Sequence, residues 1–449
     1  MGQKKAEGAS LLEVLGALSS ALDLVEGQNP GHATRTALIA QKIAAAMDLS
    51  DEQTETLICA AFIKDMGCST SASRIHKIFG GDDHLTKGSI KFIDWSNPMA
   101  SLRFALNYRE PESGFKSWFK RFKMMFSWPR KVIDEIAEAR RTAGADFAEK
   151  LGMSQELCQT IRCLDEHWDG KGVPRRLKDR EIPLKSRILC AAQTMEVFAS
   201  SFGISAAYRM LKEREGRWFD PNVVAAAETF GYDADFWNEF MLMAKEERRT
   251  LVHFHSRPAT DEEIDRAFDV FAHIIDAKSS WTSGHSTRVA TEAAAIATYL
   301  GLSPETVKTI RRAALVHDIG KLGVPNAILD KPDQLTFEET GVIRAHMKAA
   351  QQSLGEIRGF ESVADIAFAH HQRLDAKGLW RGMYADDLSI EMRIIAAADV
   401  FDALVSERPY KPAYSIEEAL ARMEEESGHG LDSSCIGALY ALHRKHNAA

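Results

Sequence analysis

Helical periodicity runs through the chain. After His285, the apolar positions Val289, Ala293, Ile296, Ala297 and Leu300 recur every three or four residues, the stripe of an amphipathic helix. Gly301 ends that helix, and Ser303-Pro304 opens the next with an N-cap serine and a proline at the first helical position. Val307, Ile310, Ala314 and Leu315 carry the second stripe directly into His317-Asp318. Alternating strand patterns are absent. The pattern predicts an all-α protein.

The same layout occurs twice. GHATRTALIAQKIAAAMDLS from Gly31 parallels GHSTRVATEAAAIATYLGLS from Gly284. In the first copy, Ser50 and Gln53 form a capping-box pattern at the start of the next helix. His32 to Asp65 and His285 to Asp318 both span 33 positions. LDEHWDGKGVP from Leu164 parallels HHQRLDAKGLW from His370, and Leu164 to Gln193 and His370 to Asp399 both span 29. Two independent matching spacings predict a tandem repeat of one helical domain. The first domain is expected over residues 1–245, with an insertion at about 76–135. A linker over 246–258 and a second domain over 259–449 follow. Trp237 to His255 reads as a helix that Arg257-Pro258 breaks. SERPYKP (Ser406 to Pro412) has no equivalent in the first copy.

Composition narrows the class. The 449 residues carry 56 Lys+Arg against 64 Asp+Glu, a net charge of −8, which argues against a nucleic-acid polymer as partner. No run of 18 apolar residues occurs, so no transmembrane helix is expected. The polar start MGQKKAEGAS lacks an apolar signal core. The six cysteines form no CxxC pair, so neither a zinc knuckle nor a disulfide framework is indicated, and a reduced cytoplasm is expected.

The histidines carry the chemistry. His285, His317, His346, His370 and His371 fall in the second copy with Asp318 and Asp399. Imidazoles and carboxylates suit first-row transition metals. An adjacent His-Asp pair at a helix end can bridge two metals through its carboxylate. Seven such residues suffice for a two-metal centre able to activate water and stabilise an in-line phosphoryl displacement. Lys321, one turn after Asp318, is a candidate phosphate or hydroxide partner.

At this point the residues carry a resemblance. GHSTRVA, LVHDIGKLGVPNAILDKP, His346, HHQRLDAKG and RIIAAADVFDALVSERPYKPA resemble the HD-GYP subgroup of HD-domain metal phosphohydrolases over about residues 260 to 440. The resemblance implies two tandem HD-type helical domains. It implies hydrolysis of a cyclic dinucleotide, chiefly cyclic di-GMP, at an iron or manganese centre. The implied ligands are His285, His317, Asp318, His346, His370, His371 and Asp399. Asp318 and Lys321 are the implied catalytic pair, and Asp402, Arg408 and Lys411 the implied contacts to guanine and phosphate. Some members bind a third metal through a glutamate four positions before the first histidine; Trp281 stands there, so two divalent metals are expected. The loop departs from the usual HHExxDGxGYP: Gln372 replaces Glu, Ala376 the first Gly, and Leu379-Trp380 the Tyr-Pro. Altered handling of cyclic di-GMP follows as an expectation.

The first copy has lost the complementary half. It keeps DGKGVP (Asp169 to Pro174), but its ligand positions read Lys64-Asp65, Arg140, Leu164-Asp165 and Gln193, with Cys68 in place of the lysine. Only His32 and Asp65 remain, so a catalytically dead domain is expected, kept for structure, dimerisation or ligand sensing. Lys64 is expected to neutralise Asp65 in place of metal charge. The basic-aromatic stretch FKSWFKRFKMMFSWPRK (Phe115 to Lys131) leaves two readings open, a lid on its own domain or contact with an anionic membrane surface. Two rivals to the enzyme reading also stay open. One is an inactive regulator binding a nucleotide or a signalling protein partner; the other is a phosphohydrolase of another nucleotide. A homodimer stays open in each case.

Overall fold

The structure, a computed structural model, describes residues 8–25, 27–70, 130–245, 257–279, 282–331, 333–379, 383–407 and 412–444. The insertion and the basic-aromatic segment as far as residue 129, residues 246–256 of the linker region, Trp281, Trp380, Arg408 and Lys411 lie outside these residues. The described residues are helical, with isolated β-bridges and no strand among them. No described helix is long and apolar enough to cross a membrane.

Two compact units are present: Leu22–Ser256, and Met1–Ala21 together with Arg257–Ala449. This corrects the expected first domain at its N-terminal end. Ala9 O accepts the Ala259 N–H at 2.9 Å, Ser20 Oγ meets Ser353 Oγ at 3.0 Å, and Glu13 accepts from Arg358 at 3.0 Å. The Leu11–Val25 helix is mostly apolar, with Glu13, Ser19, Ser20 and Asp23 its polar residues. Leu12, Val14, Leu15, Ala17, Leu18 and Ala21 are all buried, as expected for a helix with few polar residues to give to solvent.

Local sequence accounts for the helix starts. Ser303 accepts from the Thr306 N–H with Pro304 at the first helical position. Ser50 forms a full capping box with Gln53, and Thr260, Thr336 and Ser415 do the same with Glu263, Glu339 and Glu418. Such caps satisfy the otherwise orphaned first N–H groups of each helix. The His32–Ala46 and His285–Tyr299 helices start differently. Gly31 and Gly284 precede them with φ of 83° and 71°, a left-handed turn that glycine adopts without Cβ strain.

In the unit containing Arg257–Ala449, the Ile390–Val405 helix is the hub. Ile394, Ile395, Ala397, Ala398 and Phe401 are buried, and the helix packs against the helices His285–Tyr299, Pro304–Val316 and Glu361–Phe368. In Leu22–Ser256 the Leu184–Phe202 helix takes the same place, packed against His32–Ala46 and Asp51–Ile63.

Candidate metal centre

Five of the seven ligand candidates sit where a helix begins or ends, and two lie inside helices. His285 opens its helix and His317 caps the end of Pro304–Val316. Asp318 caps the following 3-10 turn, Ile319–Gly323. His346 lies inside Phe337–Gly355, His370 and His371 follow Glu361–Phe368, and Asp399 lies inside Ile390–Val405. All seven converge. Ligand atoms of Asp318, His346, His370 and His371 lie within 4.8 Å of one another, as do those of His285, His317 and Asp399.

Asp318 stands between the two groups. Its Oδ1 is 3.5 Å from His346 Nε2 and 3.5 Å from His370 Nε2. Its Oδ2 is 3.4 Å from His317 Nε2 and 3.7 Å from His285 Nε2. One carboxylate thus presents each oxygen to a different pair of imidazoles. Asp399 closes the ring, with Oδ1 at 3.3 Å from His285 Nε2 and Oδ2 at 3.5 Å from His371 Nδ1.

The residues fit metal cations. His317 Nε2 and Asp318 Oδ1 are buried with no hydrogen-bond partner, and orphaned buried polar atoms are costly unless something satisfies them. His317 and His370 place Nδ1 against the carbonyls of Ala314 and Ala367 at 2.7 and 2.6 Å, and His346 does so with Ile343. A carbonyl only accepts, so Nδ1 carries the proton and Nε2 keeps its lone pair for a metal. Burial pushes His317 down to about 4 and His346 to about 3, so both are neutral at physiological pH. Burial opposes ionisation of Asp318, yet Lys321 and His317 outweigh it and hold the carboxyl well below its usual range. His285 shows the opposite balance: burial is outweighed by its bonds to Asp399 and Asp402, which raise it to about 9. A cation at this point would relieve the same concentration of negative charge.

Two of the expected site residues have protein partners. Asp402, the implied substrate contact, is turned toward His285 and Arg288. It is 2% exposed, and its carboxylate accepts from His285 Nδ1 at 2.7 Å and Arg288 Nε at 2.5 Å. Lys321 directs its ammonium at Asp318 Oδ2, 2.5 Å away, so its first role is to keep that carboxylate ionised. The loop after His371 keeps its shape despite its altered sequence. Leu379 N–H bonds to His371 O, as Val173 N–H bonds to Asp165 O in the other unit. Ala376 adopts φ 57° where the corresponding Gly170 has 77°.

Glycine matters most beside the His-Asp turn. A β-carbon on Gly320 would lie 1.9 Å from the His346 carbonyl oxygen, and one on Gly67 would lie 1.9 Å from that of Arg140. This shared contact puts Arg140 at the place of His346. Gly320→Ala is expected to push the Asp318 turn off the His346 helix, at a cost of about 1–3 kcal/mol, and to weaken metal binding measured by titration. Gly67→Ala is expected to lower melting temperature by a similar margin and leave metal binding unchanged.

In the emptied unit, ion pairs stand where ligands would. Lys64 pairs with Asp65, both buried. Arg141 Nε donates to Asp165 at 2.6 Å, Arg140 Nη2 lies 2.7 Å from Cys68 Sγ, and Leu164 is fully buried. Among the described residues, metal-competent clusters occur only in the other unit. His32 is held by Glu196, which also takes Arg35 Nε at 2.7 Å. Arg35 and Glu196 escaped the sequence reading, as did Arg288. Extending the repeat by the same offsets pairs Arg35 with Arg288 and Glu196 with Asp402, so the signal was present.

Comparison with known proteins agrees with this geometry. The HD domain family matches residues 134–223 and 269–435. The 3'3'-cGAMP-specific phosphodiesterase 3 of Vibrio cholerae is 37% identical over 437 residues, 96% of this chain and 94% of that protein. The cyclic di-GMP phosphodiesterase response regulator RpfG of Xanthomonas campestris is 38% identical over 170 residues, 37% of this chain and 45% of its own. The crystal structure of a cyclic GMP-AMP-specific phosphodiesterase of V. cholerae (V-cGAP3) matches with a TM-score of 0.65 and 32% identity, covering 97% of this chain and 98% of that one. The chain therefore belongs to the HD-domain family, as a tandem HD-GYP phosphohydrolase.

Proposed function

We propose that the unit containing Arg257–Ala449 hydrolyses a cyclic dinucleotide, with 3'3'-cGAMP the preferred substrate. The observation that carries the reading is the two-sided arrangement of Asp318, one oxygen toward His346 and His370, the other toward His317 and His285. His285, His317 and Asp399 form one ligand group, His346, His370 and His371 the other, with Asp318 shared. Two iron or manganese ions held there would supply Lewis-acid stabilisation of the phosphoryl oxygens and lower the pKa of water. The chain's own part is to keep five imidazoles aimed inward, to keep Asp318 and Asp399 ionised, and to bring the Lys321 ammonium beside the bridge, 23% exposed. Hydrolysis adds hydroxyl to phosphorus and a proton to the departing sugar oxygen, so water is the sole co-reactant. The preference for the mixed dinucleotide is supported by the relatives. The protein matched along nearly its whole length is 3'3'-cGAMP-specific, whereas the cyclic di-GMP enzyme RpfG is matched over 37% of this chain. Cyclic di-GMP, the substrate implied by the family resemblance, is the second candidate in this reading. Leu22–Ser256 is the non-catalytic partner domain of this reading.

The test is incubation of manganese- or iron-loaded protein with 3'3'-cGAMP, cyclic di-GMP and cyclic di-AMP, following linear products. Cleavage of 3'3'-cGAMP is expected with a kcat/KM at least about tenfold above that for cyclic di-GMP, the discrimination that about 1.4 kcal/mol provides. Faster cleavage of cyclic di-GMP would overturn the substrate assignment. Tight binding without cleavage of any would replace the enzyme by a regulator.

A further inference from the structure

The imidazoles of the centre are not all held in the same way. His317, His346 and His370 each give Nδ1–H to the backbone carbonyl three residues earlier. A preceding helical turn supplies that carbonyl. His285 has no such turn behind it, because it is the first residue of its helix and follows the left-handed Gly284. The carbonyl three residues back, on Thr282, accepts the backbone N–H of His285 at 3.0 Å. Its Nδ1 reaches a side chain instead, Asp402 Oδ2 at 2.7 Å.

Arg288 grips that carboxylate from the other side. Nε donates to Oδ1 at 2.5 Å and Nη2 to Oδ2 at 3.1 Å. The same guanidinium ties down the loop before the helix, with Nη1 donating to Ser283 O at 2.9 Å, and reaches Ser406 Oγ at 3.1 Å. A planar fork of this kind fixes a carboxylate in both position and rotation.

The emptied unit repeats the device. Arg35 follows His32 by three residues, as Arg288 follows His285. Glu196 accepts from His32 Nδ1 and from Arg35 Nε, and Arg35 Nη1 donates to Pro30 O at 2.8 Å. The arginine, carboxylate and histidine thus stand together in a unit that otherwise keeps only Asp65 of the ligand positions. They form one structural unit that orients the first histidine of the fold.

We infer that Arg288 is a positioning residue for the metal centre: it holds Asp402, and Asp402 turns His285 so that Nε2 faces inward. This rests on the metal-centre reading above and adds a residue outside the ligand set. Half of the Arg288 side chain is exposed, so Arg288→Ala is expected to fold with a near-native melting temperature. Residues behind a metal-bound histidine typically alter affinity by about 10–100-fold. Manganese titration of the nucleotide-free protein against a competing chelator is therefore expected to show one of two sites weakened by about that factor. Arg288→Lys, which keeps the charge without the fork, is expected to fall between variant and wild type. Arg35→Ala is expected to lower melting temperature and leave manganese affinity unchanged. Activity lost in Arg288→Ala is expected to return at raised manganese with KM unaltered, a recovery that a substrate-contacting arginine would not show. Wild-type affinity at both sites in folded Arg288→Ala overturns the inference, as does an activity loss with raised KM that manganese does not restore. Binding is read without nucleotide, so a mistaken substrate leaves the inference standing; wild-type protein that takes up no metal removes both it and the metal-centre reading.

Discussion

Replacing Asp318 with alanine is expected to bring metal content close to zero and turnover below detection. The carboxylate presents one oxygen to each ligand group, at 3.4 to 3.7 Å from four imidazoles. Without it, the anion reaching imidazoles of both groups is Asp399, at His285 and His371, and no carboxylate is left between His317, His346 and His370. Two cations that close repel strongly unless an anion bridges them, and the repulsion grows in a buried, low-dielectric site. Loss of the metals removes the charge that meets the developing negative charge on phosphate, a contribution of several kcal/mol to the barrier. Elemental analysis of the purified variant checks the first half and product formation from 3'3'-cGAMP the second. Unchanged metal content would sink the ligand assignment. Asp65→Ala is the matched control, and its metal content is expected to equal that of the wild type, because Asp65 is paired with Lys64 in a unit with no metal-competent cluster among its described residues.

Lys64→Ala is expected to destabilise the Leu22–Ser256 unit by about 3–5 kcal/mol, the cost of leaving a buried ion-pair partner uncompensated. Lys64 is fully buried and Asp65 nearly so. The lysine also acts on Asp23. Burial pushes the Asp23 carboxyl up to about 7, against the pull of Lys64 and Arg35. Removing the ammonium therefore affects two buried carboxyls at once. For a domain of this size the loss corresponds to a fall in melting temperature of about 10 °C. Calorimetry on the whole chain reads it as a shift of one transition, with manganese affinity unchanged. The double variant Lys64→Met with Asp65→Leu is expected to recover much of the loss, since replacing both partners leaves no buried charge. Wild-type stability in Lys64→Ala would show that Asp65 needs no cation.

The all-α class and the tandem repeat were legible along the chain because both are periodic properties. A 3.6-residue stripe and matched spacings of 33 and 29 positions need no three-dimensional information. The residue types of the centre were legible for a similar reason, since histidines and aspartates carry their chemistry wherever the chain takes them. Their final roles depended on contacts between residues far apart in sequence. Asp402 and His285 are 117 positions apart, and whether such a carboxylate meets a nucleotide or an imidazole depends on how two helices pack. The histidine's place as first residue of its helix decided it, by removing the kind of carbonyl that His317, His346 and His370 use. The Leu11–Val25 helix illustrates the same division. Its mostly apolar composition favours burial, yet burial is non-directional, so composition does not say which core receives it. Contacts from Ala9, Glu13 and Ser20 to Ala259, Arg358 and Ser353 place its first turns with the metal-centre unit. Periodicity and residue chemistry are local, and the sequence by itself supplied them; pairing between distant surfaces is a property of the packed chain.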